Sequence, residues 1–259
     1  MGRIRGGFLK VAAAVPVVKV AHCAANAEAI SSLITSAAER GVSIVAFPEL
    51  SITGATCGDL FRQGQLLDAA EAALESLLTH FEPIVWVVGM PIRYNSHLYD
   101  CAVVVSEGVI YGVVPKSYSS NPIFTAGRGT ENRYINLCDQ MVPFGSDLIF
   151  TLDGVKFGVE IGEDAMQIIT PSSELASAGA AITLTLDAMP ECSGSYTEVE
   201  ERISSHSKSI VGGHIYCSAG CGESSTDLVF AGNAIIAQQG EVLAVRERFS
   251  RTPALTVAE

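Results

Sequence analysis

The hydrophobic positions of the chain follow two alternating patterns. Some segments are short continuous apolar runs, which are typical of buried strands, and others place apolar residues every three or four positions, which is typical of helices packed on a sheet. In the first part of the chain these patterns predict a strand, a helix and a strand over Phe8–Val15, Asn26–Gly41 and Val42–Phe47. A β-α-β unit therefore opens the fold.

The middle of the chain adds hairpins to this pattern. A helix and a buried strand are followed by two pairs of strands, and the second pair flanks Asp153-Gly154, a dipeptide that favours a tight turn. The predicted elements are Gln63–Phe81, Ile84–Met90, Tyr99–Val105, Val109–Val114, Leu148–Leu152 and Val155–Ile161. Between the two hairpins, Ser117–Asp147 is rich in Gly, Asn, Ser and Pro and predicts a long irregular loop, which in a compact domain is usually functional or interfacial.

The last third of the chain alternates helices and strands again. The predicted elements are Ser172–Ala178, Ala181–Leu186, Glu198–Val211, His214–Ser218, Ala234–Ala237 and Val242–Arg246. No internal repeat appears, so residues 1–259 are predicted to form one domain. Parallel crossovers combined with hairpins predict an α/β fold in which two mixed sheets face each other and helices cover their outer sides.

The composition limits the classes of partner. The chain is 48% hydrophobic and has a net charge of −12, with no Lys/Arg cluster, which argues against nucleic acids and anionic membranes. The apolar run Val11–Val20 is too short to span a bilayer, and we expect a soluble, cytoplasmic protein. Seven cysteines without metal-ligand spacing are expected to be reduced core thiols, so no metal or cofactor is predicted. The apolar composition favours interfaces and hence a homo-oligomer.

Three predicted strands end in motifs that are typical of active sites. Glu49 follows Phe47-Pro48 and Lys116 follows Val114-Pro115, so each charge comes directly after a proline that stops a strand. A third strand runs into Gly162-Glu163-Asp164, a sharp turn before a helix, which is the layout of a nucleophile elbow. Either charge alone is more often a solvated strand terminus, but together they predict a general base and an oxyanion partner within about 6 Å of each other.

These motifs resemble the Glu-Lys-Cys set of the nitrilase superfamily of carbon-nitrogen hydrolases. The matching stretches read F-P-E-L around Glu49, V-P-K-S-Y around Lys116 and G-V-E-I-G-E-D around Gly162, where the superfamily normally has G-V-E-I-C-E-D. The segments Cys57–Phe61, Val142–Leu148 and Ser218–Phe230 are similar to the glutaminase domain of glutamine-dependent NAD synthetases in particular. The resemblance covers nearly the whole chain.

The resemblance implies a four-layer αββα sandwich that hydrolyses the side-chain amide of glutamine through a thioester. Glu49 would be the general base and Lys116 the partner of the oxyanion. Glu163 would lie where the family binds the amino end of the substrate, although a carboxylate held by backbone amides is an equally good interpretation. Gly162 occupies the position of the nucleophile and has no side chain, so the chain is predicted to be catalytically silent.

Two further positions depart from the family pattern. A tyrosine of the loop after the lysine is replaced by Pro122, and the E-F-Y-E run that follows it is missing, with Glu131 and Arg133 as its only candidate remnants. A serine that lines the family's substrate pocket is replaced by Met189. Cys192 lies close to that segment in sequence, but nothing brings it near Glu49, so a loop thiol is the better interpretation.

Three hypotheses follow for function. The chain is a glutaminase-type domain of the NAD synthetase family silenced at position 162, or a non-enzymatic pseudo-glutaminase that acts as an oligomeric scaffold, or a different nitrilase-type amidase. No S-G-G-x-D-S pyrophosphate loop occurs, so a synthetase domain is expected only as a partner or as part of a longer protein. A glutamine-like small molecule is expected as ligand only if the pocket is intact.

Overall fold

The computed structural model describes residues 8–130 and 133–259. Within these ranges the strands are β1 (Val11–Val15), β2 (Ile44–Ala46), β3 (Val85–Tyr94), β4 (His97–Ser106), β5 (Val109–Pro115), β6 (Arg133–Leu137), β7 (Gln140–Phe144), β8 (Ile149–Leu152), β9 (Val155–Ile161), β10 (Ile182–Asp187), β11 (Gly213–Ser218), β12 (Ala234–Gln238), β13 (Glu241–Val245) and β14 (Ala254–Ala258). The α-helices are α1 (Cys23–Glu39), α2 (Gly64–Leu77), α3 (Pro171–Ser177) and α4 (Ser195–Ser209), and two 3-10 turns cover Gly58–Arg62 and Gly162–Met166.

The strands form two mixed sheets. The first sheet has eight strands in the order β14-β1-β2-β3-β4-β5-β7-β6, and the second has six in the order β13-β12-β11-β10-β9-β8. The crossover strands β1, β2 and β3 pair in parallel, as do β9, β10 and β11, whereas the hairpin strands pair antiparallel. Parallel crossovers and hairpins thus coexist in each sheet, as the sequence predicts.

The two sheets pack face to face and the helices cover their outer sides. One buried cluster lies between the sheets and joins residues such as Ala46 and Val104 of the first sheet to Val159 and Leu184 of the second. A separate cluster packs α1 and α2 on the outer side of the first sheet, and α3 and α4 contact the second. The predicted four-layer αββα sandwich is confirmed. None of the helices in the described ranges has the length and apolarity needed to cross a membrane.

The prediction that Ser117–Asp147 is irregular is wrong for its second half, which contains β6 and β7. These strands are joined by the two-residue turn Cys138-Asp139, both at positive φ (47° and 59°), as in the turns that connect tight hairpins. Neither residue is glycine, so the sequence carries no obvious turn signal there. The burial of Ile135 and Leu137 on alternate positions packs this hairpin onto the core of the first sheet.

Three other strands differ from prediction. Strands β3 and β4 extend beyond the predicted Met90 and Tyr99 and meet at the two-residue turn Asn95-Ser96, again at positive φ. Strand β14 was not predicted at all. It pairs antiparallel with β1, from Val11 opposite Ala258 to Val15 opposite Ala254, so its partner lies at the other end of the chain.

A close backbone approach fixes the segment that carries Glu49. A Cβ atom placed on Gly89 of β3 would lie 2.6 Å from the carbonyl oxygen of Pro48 and 2.7 Å from the Cα atom of Glu49. Both atoms belong to the main chain and have little freedom to move. Only glycine at position 89 therefore allows the turn after β2 to pack directly against β3.

We predict that Gly89→Ala lowers the free energy of unfolding by about 1–3 kcal/mol, because the added methyl group overpacks a backbone contact. Gly64→Ala is the matched control, since a Cβ atom there meets nothing closer than the Arg93 guanidinium at 3.6 Å and lies at the start of α2. This control is expected to leave stability unchanged or slightly raised. Urea denaturation of both variants checks the prediction, and equal stabilities would contradict it.

Candidate active site

The carboxyl ends of three strands meet at one edge of the sandwich. Glu49 lies just beyond β2, Lys116 directly follows β5, and Gly162 directly follows β9 of the second sheet. Strands β2 and β5 run in the same direction because β2 pairs in parallel with β3, and β3, β4 and β5 then pair antiparallel in succession. Their carboxyl ends therefore open on the same side, which is the common location of ligand sites in such sheets.

Glu49 and Lys116 form a buried ion pair. The Lys116 Nζ atom lies 2.7 Å from Glu49 Oε1, inside the 6 Å expected from sequence, and 3.8 Å from Glu163 Oε1. Burial by itself lowers the pKa of Lys116, but the charges of Glu49 and Asp100 outweigh burial and raise it above its ordinary value. Lys116 is therefore a permanent cation at neutral pH.

The Cβ position of Gly162 points at this ion pair. A Cβ atom built on Gly162 would lie 2.5 Å from Glu49 Oε2 and 2.8 Å from Lys116 Nζ. The backbone φ of 52° is in the left-handed region, where a side chain costs about 1–2 kcal/mol. Glycine adopts this conformation without strain, and any side chain at position 162 would press against both charged groups.

Asp100 of β4 adds a third carboxyl group beside the ion pair. It is 2% exposed, and burial together with the negative charge of Glu49 raises its pKa well above the ordinary value. Its Oδ1 atom has no hydrogen-bond partner among the described residues. Asp100 is not among the site residues predicted from sequence, because an acidic residue inside an apolar strand gives no local indication of what it faces.

Asp187 is a second buried carboxyl group that is not predicted from sequence. It ends β10, where its Oδ2 accepts a 2.5 Å hydrogen bond from the Tyr216 hydroxyl and its Oδ1 accepts one of 2.8 Å from the Ala188 backbone N–H. Burial and the charge of Glu49 raise its pKa to about 6, against the opposing effect of the Tyr216 hydrogen bond. Asp187 therefore titrates close to neutral pH.

Asp164 joins two loops of the site. Its carboxylate accepts hydrogen bonds from the backbone N–H groups of Ser117 at 2.9 Å and Tyr118 at 2.8 Å, directly after Lys116. Burial raises the pKa of Asp164 to about 7, although these hydrogen bonds oppose the shift. The carboxylate of the neighbouring Glu163 likewise accepts a 2.6 Å hydrogen bond from the Ser120 backbone N–H. The loop after Lys116 is thus tied to the turn after Gly162.

These groups line a cavity of about 490 Å³. Met189 lines it, as do Glu49, Lys116 and Glu163. Pro122 is exposed and is not among the lining residues, and Cys192 is exposed and also outside the lining. Glu131 lies outside the described residues. The structure therefore brings four of the predicted positions together, with Gly162 directly behind them, and leaves Pro122 on the surface.

Hydrogen bonds to the Glu223 carboxylate stabilise one wall of this cavity. Its carboxylate accepts hydrogen bonds from the Ala55 N–H at 2.7 Å, the Thr56 N–H at 3.0 Å and the Thr56 hydroxyl at 2.5 Å. The Ser224 N–H donates to the same hydroxyl at 2.9 Å. Ala55, Thr56 and Ser224 all line the cavity, so Glu223 fixes the two loops that form this wall.

The arrangement suits polar chemistry on a small bound molecule. A carboxylate that can take a proton lies against a cation that can stabilise a developing negative charge, both in a buried site where such interactions are strong. In the described ranges no group of three or more His, Cys, Asp or Glu side chains is placed to hold a metal ion. Covalent catalysis would require a side-chain nucleophile in contact with this pair, and Gly162 supplies none.

Comparison with known proteins assigns the chain to a family. The carbon-nitrogen hydrolase family model matches residues 10–259. The chain is 35% identical over 98% of its length to the glutamine-dependent NAD(+) synthetase of Mycobacterium tuberculosis (strain H37Rv), and 33% identical, again over 98%, to that of Mycobacterium leprae. It spans only 39% of the length of each of these curated relatives.

Solved structures show the same fold. A glutamine-dependent NAD(+) synthetase from Cytophaga hutchinsonii superposes with a TM-score of 0.88 at 22% identity, covering 96% of this chain and 42% of that one. An amidase from Nesterenkonia sp. superposes with a TM-score of 0.76 at 19% identity, covering 98% of this chain and 91% of that one. At these identities the structural likeness establishes the fold alone.

The raised pKa of Asp187 makes stability depend on pH. Because folding raises this pKa to about 6, the folded state binds the proton more tightly, so the stabilisation is complete near pH 4 and is lost as the pH rises through about 6. We predict that Asp187→Asn reduces the fall in unfolding free energy between pH 4.5 and 7.5 by about 2 kcal/mol. Urea denaturation at both pH values measures this. The exposed control Asp139→Asn should keep the native slope, and an unchanged slope in Asp187→Asn would refute the assignment.

Proposed function

The chain belongs to the carbon-nitrogen hydrolase family, and from this premise we propose that it is a glutaminase-type domain of the NAD synthetase kind, catalytically silent because position 162 lacks a nucleophile. The curated relatives that match nearly its whole length are glutamine-dependent NAD(+) synthetases. A synthetase domain, in the same or a separate chain, is the partner that this proposal implies. The described residues are then a single hydrolase unit of the nitrilase type.

The observation that carries the proposal is the direction of the Cβ position at Gly162. A side chain there would meet Glu49 Oε2 and Lys116 Nζ at the same time, at 2.5 and 2.8 Å from its Cβ. These distances are too short for a real Cβ atom, so the ends of the Glu49 and Lys116 side chains would have to shift to admit it. A side chain at position 162 would then lie beside a general base and an oxyanion partner, as a nucleophile must. The base, the cation and the turn that would present a nucleophile are all present, and position 162 supplies no reacting atom.

The chemistry that the site would support with a thiol can be written step by step. The Glu49 carboxylate would take the thiol proton, and the sulfur would attack the carbon of a primary amide. The oxyanion that forms would lie against Lys116, and its collapse would release ammonia as Glu49 returns the proton to the leaving nitrogen. Water activated by Glu49 would then hydrolyse the thioester and regenerate the thiol.

We predict that Gly162→Cys releases ammonia from glutamine at least about 1,000-fold faster than the native chain, because removing a nucleophile costs orders of magnitude in rate. The new Cβ atom requires Glu49 and Lys116 to move, but both contacts involve the ends of flexible side chains. The measurement is ammonia production by the purified proteins at millimolar glutamine, with folding checked by circular dichroism.

Two controls separate thiol chemistry from other effects. Gly162→Ala introduces the same Cβ atom without sulfur and should remain inactive. Gly162→Cys combined with Glu49→Gln keeps the thiol but removes the base, and should lose most of the gained rate. A folded Gly162→Cys protein that releases no ammonia would overturn the silent-glutaminase proposal.

A second candidate function is a non-catalytic scaffold that assembles into homo-oligomers. The observation in its favour is a group of exposed apolar side chains just after the turn at Gly162, in which Ile168 is fully exposed and Ile169 is 60% exposed. Met166, which begins this group, is 40% exposed and lines the cavity. Contiguous apolar exposure of this kind is typical of interaction surfaces.

If this surface joins copies of the chain, Ile168→Ser combined with Ile169→Ser should shift the protein from an oligomer to a monomer, because serine removes the apolar area that association buries. Size-exclusion chromatography with light scattering measures the mass. Met141→Ser, at a position 69% exposed on the first sheet, is the control and should leave the mass unchanged. A native chain that is already monomeric at high micromolar concentration would exclude the scaffold.

A further inference from the structure

Glu191 lies at the junction of two segments that form one wall of the cavity. The segment Asp187–Pro190, directly before it, lines the cavity, and so do Leu228 and Phe230 on either side of Val229. The Glu191 backbone N–H donates to the Val229 carbonyl oxygen at 2.7 Å, which joins the two segments. Glu191 itself does not line the cavity. It can therefore act on a ligand only through the residues that it holds.

The Glu191 carboxylate accepts hydrogen bonds from three side chains. Its Oε1 atom accepts from the Arg248 guanidinium at 2.5 Å and from the Ser195 hydroxyl at 3.0 Å, and its Oε2 atom accepts from the Asn233 amide at 3.2 Å. The Glu191 side chain is 9% exposed, whereas that of Arg248 is 34% exposed. The carboxylate thus joins the start of α4, the residue before β12 and the segment after β13.

The Arg248 side chain is held between this carboxylate and two aromatic rings. Its guanidinium carbon lies 4.6 Å from the centroid of the Tyr196 ring and 5.1 Å from that of the Phe249 ring. Cation–π contacts and a charge-assisted hydrogen bond restrict the same guanidinium, so each favours the other. Tyr196 and Met189 both pack on the buried cluster between α4 and the second sheet. Arg248 is therefore linked through packed side chains to Met189 in the cavity wall.

The part of the wall between its two anchors is short. Asp187 is held at the start, where its carbonyl oxygen accepts from the Ala219 N–H at 3.0 Å and its carboxylate accepts from the Tyr216 hydroxyl. Glu191 holds the other end, and only Ala188–Pro190 lie between them. Three residues fixed at both ends have few conformations, so the two anchors keep this irregular segment in one shape.

From these contacts we infer that Glu191, paired with Arg248, is a positioning residue that holds the segment Asp187–Pro190 in the cavity wall and so sets how tightly the cavity binds its ligand. The inference rests on the proposed function only in taking this cavity as the ligand site. Loss of either partner of the ion pair breaks the same anchor, so both losses should release the segment.

The test on the native chain is the titration of Asp187, followed by carbon-13 NMR of its side-chain carboxyl group. Burial is the main cause that raises its pKa to about 6, and the charge of Glu49 adds to this, while the Tyr216 hydrogen bond and the charge of Lys116 oppose it. A released segment admits water to Asp187. Its pKa should then fall from about 6 to about 5 or lower, toward its ordinary value.

Two variants remove opposite charges and should have the same effect. Glu191→Ala removes a negative charge, whereas Arg248→Met removes a positive one and keeps a stem that packs on the two rings. A direct charge effect would move the pKa of Asp187 in opposite directions in the two variants, but release of the segment lowers it in both. Glu191→Gln keeps an acceptor for Arg248 and Ser195 and should stay close to the native pKa. Glu201→Ala, at an exposed position of α4, is the surface control.

A second measurement uses the Gly162→Cys variant, in which the ligand is glutamine. Adding Glu191→Ala to it should raise KM about tenfold and leave kcat within about threefold, because the wall binds the ligand without touching the reacting atoms. Adding Glu191→Gln instead should keep KM near that of Gly162→Cys alone. A change that only destabilises the fold would lower the amount of active protein, and hence kcat, without raising KM.

The outcomes decide this inference separately from the proposed function. A native pKa of Asp187 in folded Glu191→Ala or folded Arg248→Met overturns it, as does a Glu191→Gln shift as large as that of Glu191→Ala. Ordinary titration of Asp187 in the native chain, or an unchanged KM in the active double variant, would also overturn it. If Glu191→Ala does not fold, Arg248→Met decides, since the side chain it removes is partly exposed. If Gly162→Cys releases no ammonia, the proposed function fails, and the Asp187 titration still decides the role of Glu191.

Discussion

The buried ion pair between Glu49 and Lys116 is the interaction on which the rest of the site depends. Both side chains are largely out of water, with 8% and 13% of their surfaces exposed, and their charged atoms lie 2.7 Å apart. Removing one partner of such a pair leaves an uncompensated buried charge, which typically costs about 3–5 kcal/mol. The two residues follow strands that are separated by β3 and β4, about 14 Å apart at ordinary strand spacing. The packing of the Glu49 turn against Gly89 of β3 shortens that distance, so that the two side chains meet.

The pKa and the hydrogen bonds of each carboxyl group near this pair depend on the groups that surround it. Asp100 of β4 has a raised pKa because it is buried beside Glu49. Burial also raises the pKa of Asp187, but the hydrogen bond from Tyr216 opposes this and leaves it at about 6. The Asp164 carboxylate accepts hydrogen bonds from two backbone N–H groups and so joins the loop after Lys116 to the turn after Gly162. Aspartate therefore has three different roles here: Asp100 carries an acceptor without a hydrogen bond, Asp187 titrates near pH 6, and Asp164 joins two loops.

Behind the turn that carries Gly162, a closed ring of hydrogen bonds supports the second sheet. Glu160 accepts from the Thr185 hydroxyl at 2.8 Å, Thr185 contacts His214 at 2.8 Å, and His214 contacts His206 at 2.9 Å. His206 contacts the Ser172 hydroxyl at 3.0 Å, and the Ser172 N–H returns to Glu160 at 3.0 Å. Burial lowers the pKa of His214 to about 3, so the ring stays neutral at its centre and ties β9, β10 and β11 to α3 and α4.

The sequence by itself determined the elements with strong periodicity, the two proline-terminated strand ends, the acidic turn and the absence of a nucleophile at position 162. These features depend on residues within a few positions of one another, so local patterns are enough to identify them. Only the tertiary structure decided that β14 pairs with β1, that Cys138-Asp139 closes a hairpin, and that Asp100 and Asp187 face the ion pair while Pro122 does not reach the cavity. Such contacts join residues far apart in the chain, and they are selected by burial and charge in three dimensions, which no local pattern encodes.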